Sequence, residues 1–250
     1  MLKVYRMRVL ALDTTERAGS AALVEDGRIL LERQGDASRT HGERLPGELA
    51  ALGAPFSSID IFAVAIGPGS FTGLRIGIAT MQGLALVSER RVVGVSALEA
   101  HAQLASRTLG AGALVACWID AQRGDVFSAL YRIADAPLFT PERLIEIEAP
   151  AVAAPALTLA VWEHHDTHAA TFVGDGAVRY LASVGLDSGA LTEAGDSRRA
   201  VAVPVPIAGA IGCMATVSAE RGLATLPAAV HALYVRRPDA ELHRNQARLR

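Results

Sequence analysis

Apolar runs alternate with short polar turns through the first half of the chain. Arg8-Val9-Leu10-Ala11-Leu12 reads as a buried strand that stops at Asp13, and strands over 20–24 and 28–32 meet at Glu25-Asp26-Gly27, an Asp-Gly hairpin signal. Thr40-His41-Gly42-Glu43 has capping-box spacing and opens a helix toward Leu52, with Pro46 early enough to be tolerated. An apolar run over 60–66 leads into Gly67-Pro68-Gly69-Ser70-Phe71-Thr72-Gly73-Leu74-Arg75-Ile76-Gly77, and a helical pattern continues to Val87. A strand over 91–95 follows. Ser96 and Glu99 then make a second capping box for a helix reaching Leu109. The series βββαβαβα predicts a mixed sheet flanked by helices.

The second half opens the same way. Leu114–Ile119 is a strand ending at Asp120, and the polar turn Ala121-Gln122-Arg123-Gly124 leads into a strand over 125–131. Two copies of strand, Asp, polar turn and strand suggest a duplicated fold. Beyond them, the Ala- and Pro-rich stretch 149–163 predicts a short helix with loops. Ala170–Val173 is a strand meeting the glycine turn Gly174-Asp175-Gly176, and Ile207–Arg221 is a small-residue helix led by Pro206. The tail from Glu241 is expected to fray.

Composition narrows the function classes. With 51% hydrophobic and 20% charged residues among 250, the chain is globular and long enough for one or two domains with a sizeable core. A net charge of −2 argues against an autonomous nucleic-acid binder; the arginines at 236, 237, 244, 248 and 250 read as a solvated tail. Two cysteines, Cys117 and Cys213, both in apolar context, fit a reducing cytoplasm rather than a disulfide framework. No run reaches the ~18 apolar residues of a membrane span, and the first residues do not read as a signal peptide. The start is read as either Met1 or Met7.

The glycine corner is the most specific segment. Its spacing, G-x-G-x-x-x-G, is neither the Rossmann turn nor a P-loop. Gly67, Gly69, Gly73 and Gly77 therefore leave two readings open: N–H groups aimed at a ligand, or a tight turn for close helix packing. Asp13-Thr14-Thr15 at a strand end could hold a cation and phosphate oxygens, but the same residues favour a plain polar turn. His164, His165 and His168 include an i, i+4 pair with metal-ligand spacing; with no carboxylate placed beside them, a solvated linker is the better reading. His41 reads as a local hydrogen-bonding residue. The helix over 71–87 is apolar on two stripes: Leu74, Ile78, Met81 and Ala85, then Ile76, Ala79, Gly83 and Leu86. One stripe suffices to seat a helix on a sheet, so the second points either to full burial or to a protein partner.

Asp13-Thr14-Thr15, Ser38-Arg39-Thr40-His41 with Glu43-Arg44-Leu45, the glycine corner, Val95–Ala100, Asp120–Phe127 and Gly174-Asp175-Gly176 occur in an order that resembles the TsaB family, densely over 8–131 and thinly afterwards. The resemblance implies an α/β fold of the actin/hexokinase/Hsp70-like (ASKHA) kind, with two related domains, here 1–110 and 111–250. It implies a non-catalytic role in forming threonylcarbamoyladenosine beside the tRNA anticodon, in the cytoplasm. In that family the paralogue TsaD binds the metal and transfers the group, TsaB pairs with TsaD, and the ATPase TsaE joins them. tRNA is reached through the complex, and a homodimer forms when TsaD is absent. The pairing surface is the first two helices, which maps here to 40–53 and 71–88 and so to Leu45, Leu49, Leu52, Leu74, Ile78, Met81 and Ala85. The resemblance implies no metal site, no catalytic residue and no cofactor of the chain's own, with ATP or ADP at the partner interface and Asp13, Thr14 and Thr15 as weak nucleotide contacts. Where TsaD carries two histidines at i, i+4 on a first-half helix, this chain has His41 alone, and Leu45-Pro46-Gly47 departs from a more leucine-rich run. Two other readings stand beside this one: a kinase or ATPase of the same fold using Asp13, Thr14, Thr15 and Asp120, and a peptidase of the M22 type.

Overall fold

Strand β1 (Arg8–Asp13) is buried along nearly its whole length, which requires a sheet covered on both faces. The computed structural model, which describes residues 6–165, 167–185, 199–200 and 206–235, places it at the centre of such a sheet. β2 (Ser20–Glu25) and β3 (Arg28–Gln34) extend it antiparallel through the Asp26-Gly27 turn, while β4 (Ile61–Gly67) and β5 (Arg91–Ser96) add in parallel on the other side. The order is β3-β2-β1-β4-β5.

A second sheet repeats this arrangement with β6 (Leu114–Asp120), β7 (Val126–Ile133), β8 (Leu144–Ala153), β9 (Thr171–Val173) and β10 (Arg199–Ala200), in the order β8-β7-β6-β9-β10. β7 and β8 run antiparallel, β9 and β10 parallel, as in the first sheet. The duplicated fold anticipated from the two strand–Asp–turn–strand segments is present.

Helices sort by face. α1 (His41–Ala50) and α2 (Phe71–Val87) cover the outer face of the first sheet, where Leu10, Leu12, Phe62 and Val64 meet Leu45, Leu49, Ile78 and Met81. α4 (Pro155–Val161) and α5 (Asp175–Tyr180) cover the outer face of the second around Trp118, Trp162 and Phe172. Between the sheets lie α3 (Ala97–Ala105) and α6 (Ala208–Glu220), sharing one core with Val9, Ala11, Ala63, Cys117, Ala129 and Tyr131. The alternation along β1, Val9 and Ala11 inward with Leu10 and Leu12 outward, follows from the two-residue period of a strand. α6 fits between two sheets because it is built of small residues: a Cβ at Gly212 would come within 2.5 Å of Val24.

Three expectations are corrected. The stretch over 149–163 is not helix and loop alone: its first part belongs to β8. Pro150 concealed the strand, and it is accommodated because β8 is an edge where pairing with β7 shifts register between Ser128 and Leu130. α3 stops at Ala105, short of Leu109, and Arg143 donates to the carbonyl oxygens of Ser106 at 2.8 Å and Leu109 at 3.4 Å. Residues 206–235, grouped with the second unit by chain order, return to the first sheet. There α6 crosses its strands, Thr225 bridges Val92, and Leu233 N donates to Ile66 O at 2.7 Å. The first five residues and the arginine-rich tail lie outside the described residues, as does the side chain of His168.

Candidate functional site: two plugged strand ends and an apolar helix face

The glycine corner seats α2 directly on the end of β1. Gly67 holds φ +114°, which a side chain would resist. A Cβ at Gly69 would lie 2.5 Å from Thr15 Cβ; at Gly73 it would overlap the Thr14 carbonyl oxygen, and at Gly77 the Thr14 hydroxyl. The hydrogen bonds close the same gap. Ser70 N donates to Thr15 O at 2.8 Å, Thr14 Oγ1 donates to Gly73 O at 2.8 Å, and Gly73 N donates to Ser70 Oγ at 3.2 Å. Thr15 donates from both its N and its Oγ1 to Asp13 Oδ1, at 2.8 and 2.6 Å. Asp13, Thr14 and Thr15 are all buried. The corner is closely packed against β1, and the N–H groups of Ser70 and Gly73 are satisfied within the chain. The two threonine hydroxyls proposed as nucleotide contacts are already committed internally.

The second half repeats the plug. Gly174 and Gly176 press α5 onto Trp118, Ile119 and Asp120, and Asp175 Oδ1 accepts from Asp120 N at 2.8 Å. The Asp120 carboxylate accepts from Arg179 at 2.6 Å, Tyr180 at 3.0 Å and Gln122 N at 2.9 Å, so it is a structural hub and not a free base.

Four titratable groups converge between the two plugs: Asp13, Glu16, His101 and Asp175. His101, only 2% exposed on α3, has Nε2 3.1 Å from Glu16 Oε1. Burial alone would push its pKa down; the Glu16 hydrogen bond and the charges of Glu16, Asp13 and Asp175 outweigh that and raise it. Burial, with Glu16 repulsion added, lifts Asp13 to about 6. The same causes lift Asp175 to about 6. Asp13 and Asp175 are thus both held above the usual carboxylate range, and their titrations are linked to that of His101. Sequence reasoning marked Asp13 alone. Glu16 and His101 carry no local pattern, Asp175 was read only as part of a glycine turn, and only the fold assembles them.

His41 and Arg44, taken from the segment after β3, form a second polar knot. The buried Arg44 guanidinium reaches Glu48 Oε1 at 2.6 Å, Arg17 O at 3.2 Å and His41 Nδ1 at 2.6 Å. Burial and Arg44 lower the His41 pKa, so its ring is a neutral acceptor, the local role its spacing suggested. No nucleophile is exposed at either knot among the described residues. Burial raises both thiols, Cys213 to about 11 and Cys117 further, so neither is a thiolate at neutral pH. The His164–His165 pair lies elsewhere, beside Glu148 of β8.

The interface residues require correction. Leu45, Leu49, Leu52, Leu74, Ile78, Met81 and Ala85 are all buried in the chain's own core, seating α1 and α2 on the first sheet. A side chain already covered offers nothing to a partner. The exposed stripe of α2 is most of the other one: Ala79 and Gly83 face solvent, Leu86 is 71% exposed and the adjoining Val87 86%, while Ile76 is half-buried against the same core. Segment 226–234 runs alongside, held by Gln82 Nε2 to Pro227 O at 2.8 Å and Val230 O at 3.0 Å. It adds exposed Leu226 and Tyr234, the latter against Phe71 with ring centroids 5.5 Å apart.

Residues 35–247 match the family model of TsaD, tRNA N6-adenosine threonylcarbamoyltransferase. A tRNA threonylcarbamoyladenosine biosynthesis protein TsaB from Escherichia coli is 42% identical over 130 residues, covering 50% of this chain and 55% of that one. Its namesake from Haemophilus influenzae is 38% identical over 128 residues, with 50% and 53% covered. The chain spans about half the length of the curated relatives it matches. A crystal structure from Pseudomonas aeruginosa, described as an uncharacterized protein with similarity to peptidase YEAZ, superposes with a TM-score of 0.74 at 29% identity, covering 92% of this chain and 100% of that one.

Proposed function

The chain belongs to the TsaD family, within which it sides with the TsaB relatives, and from that premise we propose that it is a non-catalytic subunit in the formation of threonylcarbamoyladenosine in tRNA, pairing with a TsaD transferase. The observation that carries this reading is the pairing of two plugged strand ends with an open apolar helix face. The places where a kinase or ATPase of this fold would hold phosphate are filled by Thr14, Thr15 and Asp120 in self-contacts. The stripe Ala79, Gly83, Leu86 and Val87 has no cover among the described residues, and exposed apolar surface of this kind marks interaction sites.

In this reading TsaD docks on the outer stripe of α2, extended by Leu226 and Tyr234, and TsaE joins the pair. The same stripe closes a homodimer when TsaD is absent. ATP or ADP sits at the partner interface and not on Asp13, Thr14 and Thr15. With a net charge of −2, tRNA is held mainly by the partners, because phosphate binding needs basic excess. The site of action is the cytoplasm, consistent with the lack of any helix, among the described residues, long and apolar enough to cross a membrane.

Light scattering of the chain, alone and with its cognate TsaD, tests the surface. Wild type is expected to exchange a self-dimer for a heterodimer, and Leu86→Asp to form neither while keeping its melting temperature. A wild-type chain that ignores TsaD, or a Leu86→Asp variant that pairs normally, overturns the assignment.

A further inference from the structure

Three potential metal ligands from separate parts of the chain meet at the edge of the second sheet. Glu148 sits on β8 next to the register shift that interrupts its pairing with β7, and its Oε1 lies 2.7 Å from His165 Nε2 and 3.6 Å from His164 Nε2. One ligand atom from each residue lies within 4.8 Å of the other two. The turn carrying the histidines is held from below. Trp162 is buried in the core, His165 N donates to Trp162 O at 2.9 Å, and Thr167 N donates to His165 O at 2.7 Å.

A simple hydrogen bond accounts for two of these residues but not the third. His165 with Glu148 would be an ordinary surface contact. His164 is 66% exposed and free to turn into water, yet its Nε2 is directed at the same carboxylate oxygen, with its ring 4.1 Å from that of His165. Holding an exposed side chain there costs rotamer entropy with little return from a 3.6 Å contact. The spacing instead suits coordination: tetrahedral ligands about 2.1 Å from zinc lie about 3.4 Å apart. His164 is already near that separation from Glu148, at 3.6 Å, and His165 is closer, at 2.7 Å.

We propose that Glu148, His164 and His165 form a binding site for a divalent transition ion, zinc above all, that staples the β8 edge to the turn after α4. Two imidazoles and a carboxylate are the donors such ions favour over magnesium or calcium. Three protein ligands leave a fourth position, which opens to solvent beside His164 and takes water.

Calorimetric titration of the tag-free chain with zinc chloride at pH 7.5 is the test. Wild type is expected to bind one equivalent in the micromolar range. Glu148→Gln, His164→Ala and His165→Ala each lose at least tenfold, while His231→Ala, a histidine outside the cluster, is unchanged. Cobalt loaded in place of zinc should give the visible absorption of a four- or five-coordinate site in wild type and none in the triple variant. The three positions are at the surface, so circular dichroism of the variants should match wild type. Zinc binding by wild type no tighter than by the triple variant overturns the proposal, as does a His231→Ala loss equal to that of the cluster variants.

Discussion

Gly73→Ala and Gly83→Ala make the same chemical change two turns or more apart on α2, and the two are expected to move stability in opposite directions. At position 83 the added methyl meets nothing within 4 Å, so only the backbone term remains. Alanine in a helix interior is worth about 0.5–1 kcal/mol over glycine. At position 73 the methyl overlaps the Thr14 carbonyl oxygen, which is backbone and cannot swing aside. α2 must lift off the end of β1, straining the Thr14 Oγ1 to Gly73 O and Ser70 N to Thr15 O bonds, both 2.8 Å. Overpacking costs about 1–3 kcal/mol and each lost bond about 1 kcal/mol, against a helix gain of about 1 kcal/mol. The net is about 2–4 kcal/mol of destabilisation. For a chain this long that is a fall of roughly 5–12 °C in melting temperature, against a rise of roughly 2–3 °C for Gly83→Ala. Thermal melts followed by circular dichroism, at a concentration where light scattering shows monomer, read both. If Gly73→Ala melts with or above wild type, α2 is not seated on Thr14 and the plugged strand end is wrong.

Two further perturbations address the buried polar groups. Asp175 has a folded pKa raised by burial and by Glu16, so its contribution to stability is complete below the unfolded carboxylate range and is lost as pH rises through about 6. His101, also raised, has the same sign. Asp175→Asn is therefore expected to gain about 1–2 kcal/mol on wild type at pH 8 and nothing at pH 4, in urea melts at the two pH values; an equal effect at both would refute the cluster. Arg44→Lys keeps the charge but cannot reach Glu48, Arg17 O and His41 together, and is expected to cost about 2–3 kcal/mol in the same assay.

Local chemistry announced much of this fold. The β1–β2–β3 meander was legible from short apolar runs and the Asp-Gly turn, and α2 from the helical spacing after the glycine corner. β8 was hidden because Ala149-Pro150-Ala151 carries no strand signal and is tolerated only at an edge next to a register shift. The cluster of Asp13, Glu16, His101 and Asp175 was hidden for another reason: its members share no periodicity and come from the end of β1 and the turn after it, from α3 and from α5, far apart in sequence.

The sequence by itself determined that the chain repeats one α/β unit, that glycines crowd the turn before α2, and that α2 has two apolar stripes. Each of these depends on neighbours within a few positions, where turn geometry and side-chain period act directly. Only the tertiary structure decided which stripe is covered, that the glycines admit Thr14 and not a ligand, that α6 returns to the first sheet, and that Glu148 stands beside two histidines. Those outcomes depend on which surfaces meet across long stretches of chain, and the stripe of larger side chains, Leu74, Ile78 and Met81, buries more apolar area against β1 and β4 than the stripe of Ala79 and Gly83 could.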